Sequence, residues 1–333
     1  MIGLIIKRTL AAIPVLLVVS IIMFVLMKAA PNPLELMKQQ PGFTSQDVTR
    51  ISKLNGWDQP VVSQYLHWIK GFVTGDMGTS WIDQRPAWAK ISERLPLTLM
   101  ITGASMMISL LIALPIGAYV AVHKYSKADY VATLTTFGMM ASPSFFVALL
   151  LQLSALKLQD MNGGSLVFFT GGAPGCVSGG GFLHVAGACM QTPVEVFRRL
   201  ALPIFALSIL QIAGWSRFLR SELLGVLNQD YIRSATAKGI SGKVVFMRHA
   251  MRNALLPLVT IVALDVATLF GGAVITESVF GLPGMGSLLL ESVNNTDIAV
   301  VLAIVMIGAT LVLVMTTVAD ILYGVLDPRI RVS

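Results

Sequence analysis

The sequence predicts an all-α, polytopic membrane protein with six transmembrane helices, and three observations carry that prediction. Hydrophobic residues make up 55% of the 333 and charged residues only 12%, with a mean hydropathy of +0.76. That is more apolar surface than one soluble core can hide. Six windows have the length that a hydrocarbon layer of about 30 Å demands: 10–29, 97–122, 130–156, 200–219, 254–276 and 298–322. No stretch alternates apolar and polar residues over about ten positions, the pattern of a membrane β-barrel.

The first window follows Lys7 and Arg8 and invites comparison with a secretory signal. Its apolar run outlasts an h-region of roughly 7–15 residues, and no A-x-A cleavage pattern follows it. It reads as an uncleaved first helix. Orientation follows from the cations of the short loops, which the cytoplasmic side retains. Lys7 and Arg8 precede the first span, and Lys124 and Lys127 join the second to the third. Arg217, Arg220, Arg233, Lys238, Lys243, Arg248 and Arg252 surround the fourth-to-fifth connection, and Arg329 and Arg331 end the chain. Both termini are therefore expected in the cytoplasm; Arg198-Arg199, on the expected outer side, dissents. The net charge of +7 fits cations held near anionic lipid. No aromatic–basic interleaving points to nucleic acid.

The chain divides into a first helix at 1–30, an external region at 31–96, and a core of five spans at 97–333. In the external region Val61, Val62, Tyr65, Leu66, Ile69 and Phe72 recur at helical spacing, with Ser63, Gln64 and Lys70 opposite, which predicts a surface-lying amphipathic helix. Trp68, Trp81 and Trp88 suit the headgroup zone. Gly75-Asp76-Met77-Gly78-Thr79-Ser80 reads as a tight turn between two glycines. The second outer connection, 157–199, clusters its glycines and reads as a flexible loop. It holds Cys176 and Cys189. An oxidising outer compartment favours a disulfide between them, worth about 3 kcal/mol by chain entropy; two unpaired thiols are the alternative. His184 adds one donor, short of the four a closed zinc site takes, so no metal site is assigned.

The third outer connection carries Glu277, Phe280, Leu282-Pro283-Gly284 and Gly286 ahead of a short apolar helix. Re-entrant backbone at this depth survives only when buried in protein or lining a wet cavity. On the inner side, 220–252 is basic and helix-compatible. Ala235 and Ala237 offer little bulk, so another protein can approach the backbone, and Gly239 supplies the left-handed residue that ends a helix. An ordinary topology-setting loop is the alternative. Asp265 lies near the middle of the fifth span, where a charge costs several kcal/mol unless paired or wet; it is either a pathway residue or a hydrogen-bonded structural acid. Asp320 is expected at the inner interface. Pro115, Pro143 and Pro203 remove helix hydrogen bonds within or beside spans and can kink them.

Several of these segments together resemble the permeases of ABC importers of the dipeptide/oligopeptide/nickel group. The run Asp230-Tyr231-Ile232-Arg233-Ser234-Ala235-Thr236-Ala237-Lys238-Gly239, followed by Arg248-His249-Ala250-Met251-Arg252-Asn253-Ala254 and Pro257, is similar to the cytoplasmic coupling loop. Gly75-Asp76-Met77-Gly78-Thr79-Ser80 is similar to the external loop, and Glu277, Phe280, Pro283, Gly284 and Gly286 to the run at the mouth of the pathway. Arg233 stands where the generic permease signature begins with Glu, a departure typical of the peptide/nickel group.

The resemblance implies a type I ABC importer permease fold in a prokaryotic cytoplasmic membrane. It further implies that Asp230, Tyr231, Arg233, Ser234, Ala235, Ala237, Lys238, Gly239, Arg248, His249 and Arg252 serve ATPase coupling. The implied partners are a second, different permease, two cytoplasmic ABC ATPase subunits and an external solute-binding protein. No G-x-x-x-x-G-K-[ST] phosphate loop occurs in the sequence, so ATP and Mg belong to the partner ATPases and the chain needs no cofactor. The resemblance implies a transport subunit rather than an enzyme, with no catalytic residue. The expected cargo is a short peptide. Nickel chelates and glutathione-like solutes are alternatives within the group, and ion-coupled secondary transport through Asp265 is one outside it.

Overall fold

A computed structural model describes residues 2–29, 44–54, 56, 58–161, 163, 168, 171, 183–185, 188–190 and 193–326. The helices are α1 (Ile2–Ala29), α2 (Ser45–Leu54), α3 (Val61–Thr74), α4 (Ala87–Val122), α5 (Lys127–Ala141) and α6 (Ser144–Met161). A two-stranded antiparallel hairpin follows, β1 (Leu183–Val185) on β2 (Ala188–Met190). Then come α7 (Pro193–Leu227), α8 (Asp230–Ala237), the single turn α9 (Gly242–Val244), a π-helical stretch (Val245–Met251), α10 (Arg252–Phe280), α11 (Met285–Asn294) and α12 (Ile298–Leu326). Among the described residues six helical stretches are long and apolar enough to cross a membrane.

The expected third span, 130–156, is not one helix. It breaks between α5 and α6 at Ser142-Pro143, where Ser142 is extended at ψ 128° because a following proline ring clashes with helical backbone. Pro115 and Pro203, by contrast, are accommodated inside α4 and α7. Both of those helices also outrun their windows. α4 begins at Ala87, ahead of its window, and α7 starts at Pro193 and continues to Leu227, past its own.

Three apolar clusters hold the bundle. At one end Leu97, Ile101, Leu200, Leu207, Phe280 and Leu282 join α4, α7 and the end of α10, with Ala148 and Ala155 from α6. Toward the other end Ala113, Trp215, Leu219, Leu223, Ala254 and Leu258 meet residues of α8 and the π-helical stretch. Ala87 and Ile91 pack beneath α11 with Met285, Leu288, Val300 and Ile304. The central crossing of α4 and α7 is close: a β-carbon on Gly117 would meet the Ser216 carbonyl oxygen at 2.7 Å. Arg8 pairs with Asp320 at 2.8 Å, tying the start of α1 to the end of α12 on one side of the bundle.

Several local expectations give way to packing. Tyr65 packs edge-on against Phe24 of α1 and Trp68 lies tilted beside the same ring, Tyr65 shares a hydrogen bond with Ser20, and Gln64 is buried. The face of α3 turned to the protein is thus Gln64, Tyr65 and Trp68, and Val62, Leu66 and Val73 point outward. Polarity misassigned that face because Gln64 satisfies itself on the Gln59 carbonyl at 2.6 Å. Trp81 is buried at 3% exposure, donating to the Thr296 carbonyl, while Trp88 is exposed. The loop 157–199 carries the β1–β2 hairpin, with His184 opposite Cys189; Cys176 lies outside the described residues. Of the dissenting cations, Arg199 is buried and paired with Glu195 one helical turn earlier, at 2.9 Å.

Candidate functional site

The helix α8 follows α7 after a turn at Asn228-Gln229 and ends where Lys238, Gly239 and Ile240 return their amides to Ser234, Thr236 and Ala235. Gly239 stands at φ +78° with open space around it, so the stop is a backbone conformation that a β-carbon would strain. Ile232 holds the helix down, 6% exposed among Leu219, Leu223, Val245 and Ala250. Tyr231 adds a second tether, accepting the Asn253 side-chain amide at 2.7 Å. The outer surface is then Asp230, Arg233, Ser234, Thr236, Ala237, Lys238 and Gly239, all exposed. Arg233 and Asp230, at 3.9 Å and largely in water, contribute little to stability.

Ala235 departs from expectation. It is half-buried against the cluster of Leu219, Leu223 and Val245, because Ile232 and Ala235, three apart, lie on one face. Arg248 and Arg252 are exposed and His249 half-buried, on the π-helical stretch and the first residue of α10 that follows it. That stretch lets Val245 and Ala250 both point into the cluster beneath α8.

The base of this region is fixed by an ion pair the sequence reading did not find. Arg220 donates to both oxygens of Asp129, at 2.8 and 2.7 Å, and the Tyr125 amide adds a third bond at 2.9 Å. The Arg220 guanidinium holds the Asp129 carboxyl below the ordinary carboxylate range. A depressed folded-state value stabilises the fold above the unfolded pKa of about 3.9, and the contribution disappears as pH falls through the folded value. Asp129→Asn is therefore expected to cost about 3 kcal/mol near neutrality. The deficit should start closing below about pH 4, which thermal unfolding of the purified protein at several pH values would read.

At the opposite end of α10, Glu277 is buried at 1% exposure. Its two oxygens accept from the Thr98 hydroxyl at 2.6 Å and the Ser287 amide at 3.0 Å. Thr98 in turn accepts from the Met285 amide at 2.8 Å. A carboxylate thus caps the start of α11, satisfying first-turn amides that no helix can satisfy internally. The chain bends by 86° between α10 and α11, with Gly281 at φ +60°. Gly284 lies against the Glu277 carboxylate and Gly286 against the backbone of Val274, so neither position has room for a β-carbon. Glu277, Phe280, Gly284 and Gly286 are brought together as a buried corner, with Pro283 half-buried beside them. A second buried carboxylate, Asp297, accepts from Ser80 at 2.5 Å and lies 3.8 Å from Lys90. Burial pushes Asp297 above the usual carboxylate range. It ties the Gly75–Ser80 turn to the start of α12.

Asp265 accepts from the buried indole of Trp215 at 2.6 Å. Thr98 and Asp129 went unassigned in the sequence, while Ser80 and Ile232 stood there only as members of their runs, with no role of their own. For Ile232 the signal of burial was an apolar residue three before Ala235 in an otherwise polar run.

Long apolar helices around a buried core, with a short exposed helix seated on one side, define the architecture of a multi-pass membrane protein. Residues 113–332 match the family model of binding-protein-dependent transport system inner membrane components, and residues 1–102 match its N-terminal counterpart. The chain belongs to this family. It is 39% identical over 332 residues to the oligopeptide transport system permease protein AppB of Bacillus subtilis, covering 98% of each chain. It is 32% identical over 329 residues to OppB of Mycobacterium tuberculosis, again covering 98% of each. The dipeptide transport system permease protein DppB of Escherichia coli is 30% identical over 340 residues, with 99% of each covered.

Proposed function

We propose that this chain is one of two permease subunits of an ATP-driven importer of short peptides, with both termini cytoplasmic. The observation that carries the reading is α8, an exposed helix of eight residues anchored from beneath by Ile232 between α7 and α10. Two cytoplasmic ATPases seat on its outer face and on that of the second permease. Asp230, Arg233, Ser234, Ala237, Lys238 and Gly239 make the contact, with Arg248 and Arg252 at its membrane edge. An external binding protein delivers the cargo, and ATP with that protein biases two bundle conformations differently. The Arg8–Asp320 pair supports placing both termini on one side. The names of the relatives, oligopeptide and dipeptide permeases, support the cargo class over nickel chelates or glutathione-like solutes. Trp215 holding Asp265 favours a structural role for that acid over an ion-coupling one.

The test is a photocrosslinker placed at Ala237, in vesicles carrying the whole transporter. Crosslinks to an ATP-hydrolysing subunit, together with peptide uptake that requires ATP, are the expected result. Uptake driven by a proton gradient without ATP, or crosslinks that find no ATPase, would overturn the reading.

A further inference from the structure

We propose that the cleft between α4, α5 and α7 binds the headgroup of an anionic phospholipid, with Arg217 engaging its phosphate. The cleft has a volume of about 240 Å³ and is lined by Gly117, Thr133, Thr136, Phe137, Ser216 and Arg217, among others. Its floor is the close approach of α4 and α7 at Gly117. Arg217 is exposed, and its guanidinium carbon lies 3.8 Å above the Phe137 ring centre. Stacked that way, a planar guanidinium keeps its edge N–H groups available for two parallel hydrogen bonds to a pair of phosphate oxygens, the geometry in which Arg recognises phosphate.

Charge accounting favours an incoming anion. The carboxylate that lies near, Asp129, is consumed by Arg220 in a two-pronged contact. Arg217 pairs with no carboxylate among the described residues. Lys124 and Lys127 stand exposed at the adjacent end of α5 and extend the positive field around the cleft. Beside it Val131, Leu134, Phe137 and Met140 are 48% to 76% exposed, an apolar strip rising from the charged end. Cations at one end and a greasy strip leading away from it match a phospholipid rather than a soluble anion, and basic pockets between spans are where acidic headgroups bind. Only the choice of leaflet, cytoplasmic, rests on the topology proposed above.

Native mass spectrometry of the assembled, gently solubilised transporter tests this without peptide or ATP, so its outcome is separate from that of the import mechanism. With phosphatidylglycerol and phosphatidylcholine as probes, the complex is expected to hold phosphatidylglycerol tighter by on the order of tenfold. Arg217→Gln should erase the preference, and Lys70→Gln on α3 should preserve it. A photocrosslinker at Phe137 should label acyl chains. An undiminished preference in Arg217→Gln would overturn the proposal, as would crosslinking of Phe137 to protein. Displacement of the lipid by millimolar inorganic phosphate would assign the cleft to a free anion instead and overturn the lipid claim.

Discussion

Glu277→Ala is expected to leave little folded, transport-competent protein in the membrane. The substitution strands the Thr98 hydroxyl and the Ser287 amide, both bonded to that carboxylate at a position 1% exposed. Each buried donor left without an acceptor costs about 1–3 kcal/mol, so the pair costs about 2–6 kcal/mol. Whole domains are stable by only about 5–15 kcal/mol. A cavity where the carboxylate had been adds to the loss. Glu277→Gln keeps an acceptor for one donor and should fall between parent and alanine variant. Membrane yield, thermal unfolding and peptide uptake would be compared across the three. Parent-like uptake by Glu277→Ala would refute the capping role.

Ile232→Asp is expected to uncouple rather than unfold. Eight residues cannot sustain a helix alone, since isolated helices shorter than about 12–15 residues are marginal in water; α8 depends on what lies beneath it. Ile232 is its one fully buried side chain, and a carboxylate there cannot stay in the Leu219, Leu223 and Val245 cluster without a cost of several kcal/mol. The cheaper outcome is for α8 to lift off while the spans persist. ATP-dependent uptake should drop by about tenfold or more, as for a loss of at least 1.4 kcal/mol of coupling, with membrane-inserted protein near the parent level. Ile232→Val, shorter by one methylene, should cost about 0.5–1.5 kcal/mol and keep most of the activity. Full uptake by the aspartate variant would show that the helix does not need its anchor.

Hydropathy made the spans readable wherever a window was uninterrupted, and α1, α4, α7 and α12 lie where the apolar runs put them. It failed at Ser142-Pro143, because averaging over a window hides a single residue whose ring forbids helical backbone before it. It also misjudged α3, whose face toward α1 is set by edge-on aromatic packing and by Gln64 donating its side-chain amide to the Gln59 carbonyl, neither of which polarity records. The corner at Glu277, Gly284 and Gly286 was legible as a motif, but its logic was not. That Thr98 completes it depends on a contact across 179 positions, which periodicity cannot anticipate. Asp129 with Arg220 is the same kind of case. The exposed and buried faces of α8 were half legible: spacing separates Ile232 and Ala235 from their neighbours, while small size alone made Ala235 look like a contact.

α10 runs unbroken for 29 residues, about 43 Å at helical rise. One end abuts the cluster that holds Ile232, and the other ends in the Glu277 corner. A stiff beam loaded at its foot turns as a unit, so a tilt of about 5° over that length swings the tip by nearly 4 Å. Remote ends of the bundle would then share one hinge motion, and a break anywhere along the beam would silence its tip while sparing its foot.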